Sequence, residues 1–237
     1  MSGARAWATA RGQLYRYLAT VFLTPPGAGL VAPLLDAEVL SELGRRFGEE
    51  AVAELRSFRD GFLGGYESLD QEYQGLFVVP LGRYVTPYEA VYRDEHVVGD
   101  QVVRGLLLGP STVAIKALYR EAGVEVVEEV CELPDHVGLE LGYLGTLCEA
   151  EAQAAERGDA DGVARARGLQ RRLLHDHLLA WVPSLCGRLR DLAPGPFYRG
   201  IAALTEAALR HEAEALARPG VLEGGAVSPS TARSETG

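Results

Sequence analysis

The chain contains 237 residues, of which 47% are hydrophobic and 24% charged, so it is long enough and apolar enough to bury a core. Its 23 basic residues are outnumbered by 33 acidic ones, which gives a net charge of -10 at pH 7. A chain with this charge repels both a phosphate backbone and an anionic membrane surface. Composition therefore predicts a globular protein that neither binds nucleic acid nor inserts into a membrane.

Composition also argues against several kinds of site. The one lysine, Lys116, does not follow a glycine, so no phosphate-binding P-loop is present. Cys131, Cys148 and Cys186 are scattered without a C-x-x-C pair, which argues against a disulfide framework and a structural zinc site. No stretch reaches the roughly 18 to 20 apolar residues that span a bilayer. We therefore expect a cytoplasmic protein that holds no metal and no cofactor.

The first half of the chain shows helical periodicity. Apolar side chains recur from Leu14 to Phe22 with the spacing of one helix face, and Pro25 ends this helix. Residues 78–100 contain prolines and glycines and predict an ordered loop with one helical turn. The further helices predicted by periodicity in this half span residues 33–44, 49–63, 72–77 and 111–122.

The second half is also helical, after a short segment of a different kind. Residues 124–133 are rich in Glu and predict a linker or hinge rather than a strand. Pro134 has no N–H to lose at the first position of a helix, so we predict that a helix begins there. The helices predicted in this half span residues 134–157, 161–180, with a turn near Trp181, and 196–217.

This order of elements predicts an all-α fold with two helical parts joined by a hinge. The tail contains small and polar residues that cannot bury enough surface to order themselves. The predicted parts are an N-terminal helical part (1–123), a hinge (124–133), a C-terminal helical part (134–218) and a disordered tail (219–237).

The histidines give no metal or catalytic motif. His175 and His177 are two residues apart on a predicted helix, so they point in different directions and cannot share a metal. His177 lies four residues before Trp181 on the apolar stripe, and we predict a hydrogen-bonded core histidine. The adjacent pair Asp135 and His136 leaves open a histidine–carboxylate site in a small-molecule enzyme, although adjacent helical residues diverge.

Two features remain that could carry a function. The first is an aromatic and proline-rich set formed by Tyr73, Leu76, Phe77 and residues 87–95. It fits a loop pinned to the core by its rings, and it also fits an apolar groove that anchors a peptide. The second is a run of ten acidic residues and no basic ones between Glu121 and Glu156. Such a run is usually a solvated face, but it would also attract a basic peptide.

Several of these residues resemble one known family. The sequence around the predicted hinge is similar to the E-P-D-H-(x)3-E-L signature of the TorD/DmsD/NarJ chaperones. In this chain Leu133 stands where the signature has Glu, and Glu132 lies one position earlier. The resemblance rests on residues 73–77, 87–92, 133–136, 140–141 and 177–183, which fall in the family's order.

The resemblance implies an all-helical cytoplasmic chaperone without catalytic activity. Its implied partner is a molybdopterin-containing redox enzyme subunit with a twin-arginine leader, held until its cofactor is inserted and so kept from premature export. Asp135 is the first candidate to pair with a leader arginine and Glu132 the second. By position, the implied leader-peptide site contains Tyr73, Leu76, Phe77, Pro87, Tyr88, Glu132, Pro134, Asp135 and His136.

Two alternatives to a binding chaperone stay open. One is an all-α assembly scaffold that acts by exchanging its halves between protomers, with residues 124–133 as the exchange segment. The resemblance accordingly implies either a monomer or a domain-swapped homodimer. The other alternative is a helical small-molecule enzyme that uses His136 together with a carboxylate.

Overall fold

The computed structural model describes residues 2–99, 101–124 and 132–217, and most of these residues are helical. The predicted tail and most of the predicted hinge therefore lie outside the described residues, and the predicted division into parts stays a prediction. In chain order the helices are α1 (Ser2–Leu23), α2 (Ala28–Leu35), α3 (Ala37–Phe47), α4 (Ala53–Gly61), α5 (Tyr66–Tyr73), α6 (Glu89–Arg93), α7 (Pro110–Glu121), α8 (Val137–Glu156), α9 (Ala160–Arg172), α10 (Leu179–Leu192) and α11 (Pro196–Ala217).

The fold class is all-α, as predicted, with one small exception. Strands β1 (Glu95–Val98) and β2 (Gln101–Arg104) form an antiparallel hairpin; β1 lies in the segment 78–100 that the sequence predicted as loop, and β2 directly follows that segment. The prediction missed the hairpin because its four-residue strands show no alternation of apolar and polar side chains. The predicted single helical turn in that segment is α6.

Two wider helical turns follow α5 and α9. Residues Gln74–Val78 and Leu173–Leu178 form π-helical turns, in which each N–H bonds to the carbonyl five residues earlier. The second turn leads directly into α10, so the predicted break near Trp181 is wrong and Pro183 lies inside a helix.

Close packing of α1 against α8 forms the centre of the structure. A Cβ on Gly145 would lie 3.0 Å from the carbonyl oxygen of Gly12, and a Cβ on Gly138 would lie 3.0 Å from that of Ala19. Glycine at these α8 positions lets the two backbones approach more closely than larger residues would allow. The face of α8 that carries these glycines therefore packs against α1. The residues of α1 lie 114 or more positions before those of α8 in the chain.

A buried ionic cluster adds α11 to this pair. The guanidinium of Arg11, on α1, donates to Glu151 on α8 and to Glu212 on α11. Tyr15 donates to Glu212 over 3.1 Å, and Gln170 donates to Glu151 over 3.0 Å. All of these side chains are buried, so each charge has a partner in place of the water it lost.

The apolar core lies between these helices and includes the fully buried rings of Trp181, Phe197, Tyr198 and Phe22. Cys148 and Cys186 are free and buried in the same core. Among residues 2–99, 101–124 and 132–217, no helix combines the length and apolar character needed to cross a bilayer.

Candidate functional site

Two distant segments meet at the candidate site. Residues Pro87–Glu89 run antiparallel to Asp135–Val137, with Tyr88 opposite His136. Glu89 N donates to the carbonyl of Asp135 over 3.0 Å, and Val137 N donates to the carbonyl of Pro87 over 2.9 Å. These bonds bring the proline–tyrosine segment and the aspartate–histidine segment together, as the resemblance implied for a single site.

His136 begins α8 as its N-cap residue. Its Nδ1 accepts a hydrogen bond from Gly138 N over 3.0 Å, and its ring meets that of Tyr88 edge-on at 5.2 Å. Burial lowers the pKa of His136 from 6.5 to about 3, so the ring is neutral at physiological pH. Because Nδ1 accepts, the ring proton is assigned to Nε2. The predicted helix start at Pro134 is therefore wrong by three residues.

Asp135 is fully buried and points into the protein. Its Oδ2 accepts a hydrogen bond from Ala90 N over 3.0 Å, which places the carboxyl at the start of α6. Burial raises the pKa of Asp135, and the bond from Ala90 opposes this effect. The sequence had placed Asp135 in the first turn of its own helix; the structure places it before α8, as a cap on another helix.

Tyr88 and Glu132 form the more accessible part of the site. Both are half-buried, and the Tyr88 hydroxyl donates to the Glu132 carboxylate. Burial raises the pKa of Tyr88, and the bond to Glu132 adds to the rise. Burial likewise raises the pKa of Tyr73, with a further contribution from the charge of Glu132. Glu132 therefore lies within electrostatic reach of both tyrosines.

The remaining candidates are linked to this centre but contribute less surface. Pro134 is half-buried, and its carbonyl accepts a hydrogen bond from Tyr119 over 2.8 Å. Leu76 and Phe77 are buried in the first π-helical turn, and the ring of Phe77 contacts that of Tyr198 at 5.3 Å. These two residues are part of the wall behind the site rather than its surface.

The acidic run is not a free acidic face. Glu121, Glu149 and Glu156 pair with Arg172, Arg16 and Arg5, in that order. Glu151 belongs to the Arg11 cluster, Asp135 and Glu140 are buried, and the other three members, at 125, 128 and 129, lie outside the described residues. Among the described members, Glu132 is the one that is accessible and without an arginine partner.

Beneath the site lies a buried acidic cluster that the sequence reasoning did not single out. Glu89 is fully buried and lies 2.8 Å from Nδ1 of His177, which confirms His177 as a hydrogen-bonded core histidine. Glu140 accepts a hydrogen bond from Trp181 Nε1 over 3.2 Å. Burial raises the pKa of Glu140 well above its usual range, and the charge of Glu89 adds to this. The sequence contains one indication of this burial: Glu140 follows apolar Val137 by three residues, so the two side chains lie on the same face of the predicted helix.

An apolar groove lies next to the residues of the aromatic motif. It has a volume of about 470 Å³ and lies between α4, α5 and the start of α11. Its walls include Phe58, Leu69 and Phe197, with Glu72 as its carboxylate. Because Glu72 immediately precedes Tyr73, the groove adjoins the end of α5, which carries that candidate residue.

Comparison with known sequences shows the family. Residues 46–187, more than half of the chain, match the sequence profile described as nitrate reductase delta subunit. The chain belongs to this family, that of the TorD/DmsD/NarJ chaperones. The resemblance read from the hinge and aromatic motifs is thereby confirmed.

Individual members of the TorD/DmsD/NarJ family match most of the chain. It is 27% identical to the chaperone protein TorD of Shewanella loihica over 213 residues, which cover 87% of this chain and 93% of that protein. It is 27% identical to the Tat proofreading chaperone DmsD of Salmonella typhi over 194 residues, which cover 82% and 84%. With TorD of Aeromonas salmonicida it shares 31% identity over 137 residues, 58% and 55% of the two chains. The chain is thus a redox-enzyme maturation chaperone and not an enzyme.

Proposed function

We propose that this chaperone binds the leader peptide of a molybdopterin oxidoreductase subunit at the surface formed by Tyr88, Glu132 and Pro134. In this proposal it works in the cytoplasm, holds the apo subunit while the cofactor is inserted and prevents premature export. The observation that carries the proposal is the hydrogen bond between the Tyr88 hydroxyl and the Glu132 carboxylate. It presents an accessible carboxylate beside an aromatic ring, a pairing suited to a guanidinium.

The surrounding structure supports this role for Glu132 over Asp135. Asp135 has no exposed surface, and its Oδ2 already accepts a backbone hydrogen bond. An arginine could reach Asp135 only if the segment holding α6 opened, whereas Glu132 is accessible without such a change. We therefore assign Glu132 to the leader arginine, and we assign Asp135 and His136 to positioning Tyr88.

In this proposal the apolar part of the leader binds in the groove between α4, α5 and α11. The aromatic walls of that groove can bury several large side chains, and each fully buried leucine or phenylalanine contributes about 1.5 to 3 kcal/mol. The proposal therefore combines one charge contact at Glu132 with apolar burial beside α5. The choice between a monomer and a domain-swapped dimer stays a prediction.

The experiment measures binding of two synthetic peptides that differ only in one pair of residues. One carries two consecutive arginines before an apolar segment, and the other carries two lysines. We expect Glu132→Gln to weaken binding of the arginine peptide about tenfold or more, because it removes the carboxylate of a charge-assisted contact. Tyr88→Phe should weaken binding less, because it keeps the ring and removes only the hydrogen bond that holds the carboxylate beside it. Glu42→Gln, at an exposed carboxylate on α3, is the matched control.

Three outcomes would contradict the proposal. The first is unchanged affinity for the arginine peptide in a folded Glu132→Gln variant. The second is an equal loss of affinity in the Glu42→Gln control. The third is equal affinity of the parent chain for the arginine and lysine peptides, since a lysine cannot form the forked contact of a guanidinium.

A further inference from the structure

An exposed apolar surface extends along the chain from the β hairpin to the first turns of α7. Half of the fourteen exposed large hydrophobic side chains in the described part of the chain fall between residues 97 and 113. Val97 is 76% exposed, and Val113 is 71% exposed. The seven residues are Val97, Val98, Val102, Leu106, Leu107, Leu108 and Val113.

Strand formation accounts for only part of this exposure. Val97 and Val102 face each other across the hairpin, and β-branched residues are enriched in strands. The three consecutive leucines 106–108 lie in no strand or helix, so no such preference explains them. Leu108 is also the one non-glycine residue with a positive φ, 63°, in the described part of the chain. Contiguous exposed apolar side chains of this kind are typical of a surface that another molecule covers.

The hairpin leaves one of its two faces uncovered. Two strands alone are marginally stable in water, and a third strand or a packed face is needed for independent stability. Here β1 and β2 are the one sheet in the described residues. The paired His96 and Val103 on one face are half-buried, whereas the paired Val97 and Val102 on the other face are exposed. A partner covering this face would therefore stabilise the hairpin as well as bury its own surface.

Two cations next to this apolar surface indicate the charge of the partner. Lys116 and Arg120 follow Val113 by three and seven residues on α7, so all three share one exposed helix face. Neither cation forms an ion pair with any residue that the structure describes, although the chain carries a net charge of -10. At the base of the hairpin, Glu95 and Arg104 pair with each other. Among the described residues of this surface, the uncompensated charge is therefore positive.

We propose that the hairpin–α7 surface, formed by the exposed apolar residues between 97 and 113 other than Val98, which points to the opposite face of the hairpin, together with Lys116 and Arg120, docks an apolar segment of another protein that carries carboxylates. The apolar side chains supply the buried area, and the two cations select acidic groups. A polyanion such as nucleic acid or an anionic membrane is disfavoured, because the net charge of the chain repels it at longer range. The surface shares no residue with the candidate leader site.

The test places a photo-crosslinking amino acid in the full chain at Val97 or at Leu81. These two positions are matched, with exposed fractions of 76% and 75%. After crosslinking in cells, the captured peptides are identified by mass. We expect position 97 to give at least fivefold more of one protein than position 81, through a segment containing both apolar and acidic residues.

A synthetic peptide of that captured segment then tests the contacts directly. We expect the Val97→Ser/Val102→Ser variant to bind it at least tenfold more weakly than the parent. The Lys116→Glu/Arg120→Glu variant should bind it at least fivefold more weakly and lose the salt dependence of the parent. Leu81→Ser should leave the affinity unchanged. The charge variant keeps the test valid if the serine variant loses its fold, because both of its substitutions are at exposed positions.

Several results would overturn the proposal. Equal crosslinking from positions 81 and 97 would mean that the surface is not selective. Capture of a second copy of this chain, or of lipid, from position 97 would assign the surface to another occupant. Unchanged peptide affinity in the folded charge variant would remove the role of the two cations. None of these results depends on whether the leader peptides bind.

Discussion

The carboxylate of Glu89 lies 2.8 Å from Nδ1 of His177, across 88 residues of sequence. This contact joins the segment that carries Tyr88 to the second π-helical turn. Arg93, one turn after Glu89, also donates to the Glu89 carboxylate and to the carbonyl of Asp176 in the same π turn. Glu89 therefore fixes α6 against the C-terminal helices, and α6 in turn positions the tyrosine of the candidate site.

Glu89→Gln should destabilise the protein by about 1 to 3 kcal/mol, because the buried His177 loses its carboxylate partner. Arg93 loses its partner as well, but its side chain is 35% exposed and stays solvated. Urea unfolding measures the change in the free energy of unfolding. Glu95→Gln, at an exposed pair with Arg104, is the control and should change stability by less than about 1 kcal/mol. Similar effects of the two substitutions would contradict the role of Glu89.

Glu140→Gln should fold and should reduce the loss of stability at high pH. The pKa of Glu140 is raised in the folded protein by burial and by the charge of Glu89, so the folded state holds a proton that the unfolded state releases. This contribution to stability is fully present below the unfolded pKa and is lost as pH rises through the folded one. Glutamine mimics the protonated acid and does not titrate.

Urea unfolding of the parent and of Glu140→Gln over a series of pH values from 5 upwards checks this prediction. The parent should lose more stability than the variant as the pH rises. Glu149→Gln, which removes a half-exposed carboxylate of the same helix, should follow the parent. Parallel curves for the parent and Glu140→Gln would mean that Glu140 does not hold the proton.

The start of α8 was predicted at Pro134, three residues too early, because the sequence shows only local preferences. Local preference predicts a helix start at Pro134, because proline is favoured at a first helical position. In the structure Asp135 instead bonds to Ala90, which lies 45 residues earlier, and α8 begins only after His136. A contact between segments so distant in sequence cannot be read from local propensity, and it decided the helix boundary.

The candidate site shows the same division between local and distant information. Helices such as α11 were predicted closely, because periodicity over about twenty residues is a strong local signal. The motif residues Tyr88, Asp135 and His136 were expected together, and the structure joins their segments. What the sequence did not indicate is that the acidic run pairs with arginines on other helices, such as Arg16 and Arg172. Pairings of this kind depend on how the helices pack.

His136→Asn should make the protein less sensitive to acid. Because burial lowers the pKa of His136 from 6.5 to about 3, the unfolded state gains a proton between these values that the folded state does not. Stability is therefore present above about pH 6.5 and is lost as the pH falls toward 3. Asparagine preserves an N-cap acceptor for Gly138 and does not titrate.

The free energy of unfolding measured at pH 7 and at pH 5 separates the two roles of His136. His136→Asn should lose less stability than the parent between these values, whereas the exposed His175→Asn should behave as the parent does. His136→Ala should cost about 1 kcal/mol at pH 7, because it removes the cap of α8. An identical loss from pH 7 to pH 5 in the parent and His136→Asn would contradict the buried neutral ring.

Gly145→Ala tests the close approach of α1 and α8. The added Cβ would lie 3.0 Å from the carbonyl oxygen of Gly12 and 3.1 Å from Cγ of Arg16, so the two helices must separate to admit it. Overpacking of this kind costs about 1 to 3 kcal/mol. Gly187→Ala, inside α10, is the matched control, because no atom lies within 4 Å of its added Cβ. Alanine is the better helix former, so the control should gain up to about 1 kcal/mol. Urea unfolding measures the change in the free energy of unfolding for both variants. A loss for Gly145→Ala with a gain for Gly187→Ala would locate the steric constraint in the α1–α8 contact. A gain in stability for both variants would show that the added methyl group fits between α1 and α8.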